Sequence, residues 1–310
     1  MARRVKVADG QLGLFDPPDD TRPEVTAAAP APPAKEVRSA AKPVAQDLMG
    51  EYMTMVTLAA AYATGTTEEG VAEVLLRRGR PPHLGDEDGP PWRFRGWMLP
   101  MVMDLLPAES GIGWGRWRYW LTIRHSGKLP DEPIPEVEFG RPEEGHAAIK
   151  NLRQCIAILA ESQGYGRGPE LLIAWLAWAL AVTKDPVNLD DAVQEQLYRT
   201  FCIDGWHERP ADHLGLLLAD HKGNGKFSNP RGFYPTPQDL ATLIGRLIMD
   251  EGEDHRLKTI SDCAAGTGRL LLDASNRSLC LYGNDVDLSC VLAARINGAI
   301  YAPWLAIAVE

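Results

Sequence analysis

The stretch Leu257-Lys258-Thr259-Ile260-Ser261-Asp262-Cys263-Ala264-Ala265-Gly266-Thr267-Gly268-Arg269-Leu270-Leu271-Leu272 decides the fold. Leu257 to Ser261 reads as a short strand that runs into an acid, Asp262. A tight turn follows, in which Gly266 and Gly268 let backbone amides approach a ligand because glycine carries no Cβ and reaches positive φ. A helix is predicted from about Arg269, with its first free N–H groups turned toward the same space. Leu279 to Tyr282 predicts a second strand, ending in Gly283-Asn284-Asp285. An acid roughly 20 residues after such a turn is where a parallel nucleotide-binding unit holds ribose hydroxyls. The pattern is that of a strand, turn, helix and strand with a carboxylate at the ligand end.

Working outward, Phe233-Tyr234-Pro235-Thr236-Pro237 precedes an amphipathic helix predicted over Gln238 to Met249, and Ala294-Arg295-Ile296-Asn297-Gly298-Ala299-Ile300-Tyr301-Ala302-Pro303 ends another. In this order the motifs resemble the first half of the S-adenosylmethionine domain of DNA adenine N-6 methyltransferases, the type I modification-subunit-like group. The likeness spans residues 212 to 310. The family's Asp-Pro-Ala-Cys-Gly-Thr-Gly is matched at Asp262, Ala264, Gly266, Thr267 and Gly268, and departed from at Cys263 and Ala265, both small. The resemblance implies a partial Rossmann-like class I domain that binds S-adenosyl-L-methionine. Gly266 and Gly268 would lie under its methionine part, Asp285 would take the ribose hydroxyls, and Tyr234, Thr236 and Pro237 would close the site. The family usually has Phe-Tyr-Thr-Pro, so Pro235 is an additional residue. Asp287 is expected to be a solvated helix-start residue and Cys263 a small packing residue.

Methyl transfer to an exocyclic amine needs acceptors for the amino hydrogens and a ring to hold the flipped base. In the family these come from an Asn/Asp-Pro-Pro-Tyr/Phe segment after the fourth strand, and no such segment follows the second strand here. Upstream, Asp16-Pro17-Pro18-Asp19 has an acid where the ring should be, and Asn229-Pro230-Arg231 fails similarly. The family's sheet order would also leave one edge of a central parallel strand bare, and bare edges invite pairing. The expectation is a protein inactive alone, with DNA as its substrate class, completed by a second chain or a longer one.

The rest of the chain sorts into two further regions. Residues 1 to 44 hold a short tip and a Pro/Ala-rich linker without hydrophobic period. Residues 45 to 211 read as a Trp-rich helical domain. Two helices broken at Gly65 are predicted between Gln46 and Arg80, with others over 144 to 163, 169 to 183 and 189 to 201. The segment His221 to Gly232 is a Gly/Asn/Lys loop, and it is no triphosphate-binding loop, since Phe227 follows the lysine where Ser or Thr is required. The fold class is α plus α/β, mainly helical first and partly Rossmann-like second.

Residues 90 to 125 carry five tryptophans and five arginines against two acids. One reading is a nucleic-acid surface, with Arg93, Arg95, Arg116 and Arg118 on phosphates and a ring stacked on a base. The other makes Trp114, Trp117 and Leu121 one buried helical face, with the arginines merely solvated.

Composition narrows the classes. Lys and Arg total 32 against 42 Asp and Glu, so the net charge of -10 repels polyanions overall and any nucleic-acid surface must be local. The longest apolar run, Leu171 to Val182, is about 12 residues, too short to span a bilayer. The N-terminus lacks the apolar run of a secretory signal, and a cytoplasmic protein without membrane contact is expected. The five scattered cysteines form no Cys-x-x-Cys pair, and His207, Glu208 and His213 have the wrong spacing for zinc.

Near the N-terminus, Gln11-Leu12-Gly13-Leu14-Phe15 is polar, then apolar. It resembles the Gln-Leu-Ser/Asp-Leu-Phe peptide by which bacterial replication proteins dock on the polymerase sliding clamp. Gln11 would satisfy the rim of a cleft while Leu12, Leu14 and Phe15 fill it. This implies a second candidate role, that of a non-enzymatic interaction protein bound to the clamp.

Overall fold

The computed structural model describes residues 89–102, 115–223, 232–249 and 252–306. The clamp-like peptide, the Pro/Ala linker, the helices expected between 46 and 80, Trp114 and the centre of the Gly/Asn/Lys loop lie outside them. All the described residues belong to one compact unit. They are mostly helical, with a single pair of strands.

After a helical turn at Leu99–Val102, the helices run α1 Arg116–Ser126, α2 Ala147–Gln163, α3 Gly168–Ala179, α4 Asp191–Thr200, α5 Asp204–Glu208, α6 His213–Gly223 and α7 Gln238–Ile248. Then come β1 Ile260–Asp262, α8 Arg269–Ala274, β2 Leu281–Gly283, α9 Leu288–Tyr301 and a last turn at Pro303–Ala306. Local chemistry sets several of these limits. Gly115 and Gly127 flank α1 with φ of 76° and 66°, conformations that a Cβ disfavours. His146 caps α2 by accepting from the Ala148 N–H, and Asp287 caps α9 by accepting from the Ser289 N–H. Pro169 sits in the first turn of α3, where its missing N–H costs nothing.

The core is one cluster that runs through both the helical segment and the strand-bearing segment. Its largest members are Trp97, Trp120, Trp175, Trp206 and Trp304, none more than 1% exposed. Helix α9 repeats buried residues at Ala293, Ile296, Asn297, Ile300 and Tyr301 and packs against α3, which is apolar throughout except for Glu170 in its first turn. Asn276, just past α8, pairs with the backbone of Val137 through both amide atoms, at 2.8 and 3.0 Å. The region expected as a helical domain and the region expected as a partial α/β domain are thus packed into one interior.

Strands β1 and β2 are parallel, with Ile260 opposite Leu281 and Asp262 opposite Gly283. The crossover between them is α8, as a parallel pair requires. Helix α7 is amphipathic as expected, but its small side faces inward. Ala241 and Gly245 are buried against α8, with Gly245 so close to Asp273 that a Cβ would have to push its carboxylate aside. Leu240, Leu243, Leu247 and Ile248 stand exposed on the other side.

Candidate functional site

The turn between β1 and α8 forms one wall of a cleft of about 250 Å³. Its other wall is the extended segment Gly232–Thr236, and the start of α9 closes the end. Asp262 ends β1 and turns the chain, its carboxylate accepting from the Ala264 N–H at 3.0 Å. Gly266 then takes φ 54°, and its N–H donates to Asp285 at 2.8 Å. The other oxygen of Asp285 accepts the Asp287 N–H at 2.9 Å. Each carboxylate oxygen has two lone pairs, so Asp285 keeps acceptor capacity facing the cleft. An apolar groove of about 210 Å³, lined in part by Leu271, Leu281, Val291 and Leu305, shares Ala265, Gly266 and Asp285 with the cleft.

Beside this lies a buried ion pair, Lys222 to Asp287 at 2.6 Å. The same ammonium sits 5.0 Å from the centre of the Phe233 ring and 3.8 Å from the Cys290 sulfur. Burial pushes the Cys290 thiol up to about 12, with Lys222 opposing, which leaves it protonated and a poor nucleophile. The cleft therefore contains two carboxylates, Asp262 and Asp285, with no cation at ion-pair distance among the described residues, and a third, Asp287, already neutralised. Such a site suits a ligand that carries positive charge and hydroxyl donors.

Most of the residues expected here do meet. Tyr234, Thr236, Asp262, Ala264, Gly266, Thr267 and Asp285 all line the cleft. Pro237 and Gly268 do not: Pro237 is the cap residue of α7, and Gly268, at φ 84°, lets the start of α8 approach Ala294. Tyr234 is 83% exposed, so the aromatic ring on the turn is that of Phe233, 3.2 Å from where a Cβ on Gly266 would stand. Asp287 is not solvated as expected; it is 7% exposed, because Lys222 reaches it from α6. Cys263 is exposed at the cleft mouth and not a packing residue. Sequence reasoning misses Lys222 at this site, because His221 to Gly232 reads as one loop, whereas His221, Lys222 and Gly223 are the last residues of helix α6. Gly89-Pro90-Pro91-Trp92 does carry a ring after two prolines, but it has glycine in place of the amide or acid, and Trp92 packs 5.3 Å from Tyr198 and does not line the cleft.

The four arginines do not form a common surface for phosphates. Arg116 is a correction: it is 2% exposed, donating to Pro135 O, Ser275 Oγ, Tyr301 O and Asn276 Oδ1. Burial lowers it to about 9, against a raising contribution from Glu136. A guanidinium spent on these internal acceptors cannot also reach DNA. Arg95 is half-buried and ties down Thr183 O and Ala181 O at the end of α3, while Arg93 pairs with Asp191 on the surface. Arg118 alone of the four is exposed without such a task. Of the buried face that the second reading expected, Trp117 is core, with Trp97 and Trp120 buried beside it, but Arg116 is not solvated as that reading had it.

Among the described residues no helix is long and apolar enough to cross a membrane, and no group of three or more His, Cys, Asp or Glu is placed to hold a metal ion. Compared with protein-family models, curated proteins and solved structures, the chain gives no significant match in any of the three.

Proposed function

We propose that the cleft binds S-adenosyl-L-methionine and that the chain is a DNA adenine methyltransferase-like protein which does not transfer the methyl group alone. The observation that carries this reading is the meeting of Gly266 and Asp285 at 2.8 Å at the ligand end of a parallel strand–helix–strand unit. Asp285 retains acceptor positions for a vicinal diol. Asp262 offers a second carboxylate to the ligand's ammonium and sulfonium charges. Phe233 and Thr236 supply the facing wall. When bound, the ligand provides an electrophilic methyl group. The chain's own residues orient it, but no Asn/Asp-Pro-Pro-aromatic segment is present in the 310 residues to hold a flipped adenine. A second chain supplying that segment completes the activity in this reading.

Calorimetric titration of the 310-residue chain with S-adenosylmethionine tests it. Binding is expected, and Asp285→Ala should abolish it. Absence of binding, or methylation of DNA by the chain alone, would overturn the respective half of the proposal.

The tip supports a second, compatible reading as a ligand of the bacterial sliding clamp. Gln11 is polar and Leu12, Leu14 and Phe15 are apolar, in the order a clamp-docking peptide has, and a Pro/Ala-rich stretch follows them in the sequence. Titration against a bacterial clamp should show binding that Leu14→Ala with Phe15→Ala removes, and equal binding by that double variant refutes it.

A further inference from the structure

Asp212 lines no part of the cleft, yet its carboxylate is fully buried and connects both of the cleft's walls. One oxygen accepts from the Gly215 N–H at 2.8 Å and from Asn297 Nδ2 at 2.9 Å. These bonds cap α6 and fasten it to α9. The other accepts from the Thr267 hydroxyl at 2.6 Å and from Arg269 Nε and Nη2 at 3.2 and 3.0 Å. Arg269 in turn donates to the carbonyl of Thr236 at 2.6 Å. Asn297 also donates to the carbonyl of Thr267 at 2.9 Å, so the middle residue of Gly266-Thr267-Gly268 is held through its side chain and its backbone.

We infer that Asp212 is the positioning residue of the cleft, setting the glycine turn through Thr267 and the aromatic wall through Arg269 and Thr236. The sequence around it is consistent with that task. Gly215 lies so near the carboxylate and the Thr267 hydroxyl that a Cβ would collide with both, so this first turn of α6 tolerates only glycine. A buried carboxylate needs charged or multiple donors, and Asp212 has them from three separate elements. A helix cap alone would need only the first oxygen. The second oxygen is spent entirely on the two cleft walls. For ligand affinity this rests on the reading of the cleft as an S-adenosylmethionine site.

The test uses the whole chain and two variants. Asp212→Asn can keep the cap through its amide oxygen but offers the turn no acceptor. Thr267→Val removes the hydroxyl while leaving Asp212 and Arg269 paired, which guards against a failure to fold. Asn151→Ala serves as a stability control, since it deletes bonds to Thr200 O and the Cys202 N–H remote from the turn in the chain. Titrated with S-adenosylmethionine, Asp212→Asn and Thr267→Val should each weaken binding by about tenfold or more. The double variant should be little worse than Asp212→Asn alone, and Asn151→Ala should lower Tm without changing affinity. Amide exchange at Ala264 to Gly268 should accelerate in the first two variants and not in the control. If the unaltered chain binds no ligand, the ligand reading fails and exchange alone decides the role of Asp212. Affinity and exchange both unchanged in Thr267→Val and Asp212→Asn would overturn the inference.

Discussion

Lys222 and Asp287 form an ion pair 2.6 Å long across 65 residues of sequence, with about nine-tenths of each side chain out of solvent. It joins the end of α6 to the cap of α9 behind the cleft. Removing one partner of such a pair is more costly than removing both. Lys222→Met should therefore destabilise by about 3 kcal/mol, while Lys222→Met with Asp287→Asn, which keeps the helix cap, should recover most of the loss. Urea unfolding midpoints of the three proteins measure it, and a double variant no better than the single one would show that the charge pairing is immaterial.

Acid should weaken the fold through two histidines. Burial lowers His207 and His213 from the ordinary histidine value to about 4, and His213 is lowered further by His146, which stacks on it at 5.2 Å. Both are neutral in the folded chain at pH values where the unfolded chain is protonated. The unfolded state thus binds more protons between about pH 6.5 and 4, and stability falls as pH drops through that window, by about 3 kcal/mol per histidine at its foot. Denaturation at pH 7, 5.5 and 4.5 should show this decline, and His213→Gln should flatten it.

Arg116 and Arg118, two residues apart in α1, should respond oppositely to the same change. Arg116→Gln leaves buried acceptors at Tyr301 O and Ser275 Oγ without their donor and should cost about 3 kcal/mol. Arg118→Gln, on the exposed face, should stay within about 0.5 kcal/mol. If the chain binds DNA, only the second substitution should alter its salt dependence. Thermal melts and a salt titration separate the two effects.

Gly266→Ala should separate stability from binding. Its φ of 54° disfavours any residue with a Cβ by about 1 kcal/mol, and that Cβ would stand 3.2 Å from the Phe233 ring. A modest fall in Tm is expected and, if the cleft binds S-adenosylmethionine as proposed, a much larger loss of affinity for it as Phe233 is displaced into the cleft. Calorimetry on a variant that melts within a few degrees of the unaltered chain is the measurement, and unaltered affinity would remove Gly266 from the ligand's path.

What the sequence disclosed was local. The turn at Gly266 and Gly268, the acid at Asp285 and the periods of α2, α4 and α9 are all visible within a short window. The first strand begins later than expected, at Ile260: the Arg256 carbonyl already accepts the Leu279 N–H, but Leu257 is 63% exposed and the paired register runs only from Ile260 opposite Leu281. Asp212 was invisible for a different reason: its partners Thr267, Arg269 and Asn297 are 55, 57 and 85 residues away, and only the fold brings them together. Helix α7 shows the limit of periodicity itself. The apolar stripe was plain, but which side faces inward was decided by the close approach that Ala241 and Gly245 allow to α8, not by hydrophobicity.

The five deeply buried tryptophans have an optical consequence. Trp120 lies 6.4 Å from Trp304, and Trp97 lies 5.6 Å from Trp175, while none of the residues lining the cleft is a tryptophan. Fluorescence from these five rings is therefore a gauge of the interior and not of ligand contact. Emission should be blue-shifted in the folded state and move sharply red on unfolding. A ligand that fills the cleft without disturbing the interior should leave the spectrum still, so any spectral change on binding would register a rearrangement carried inward from the turn.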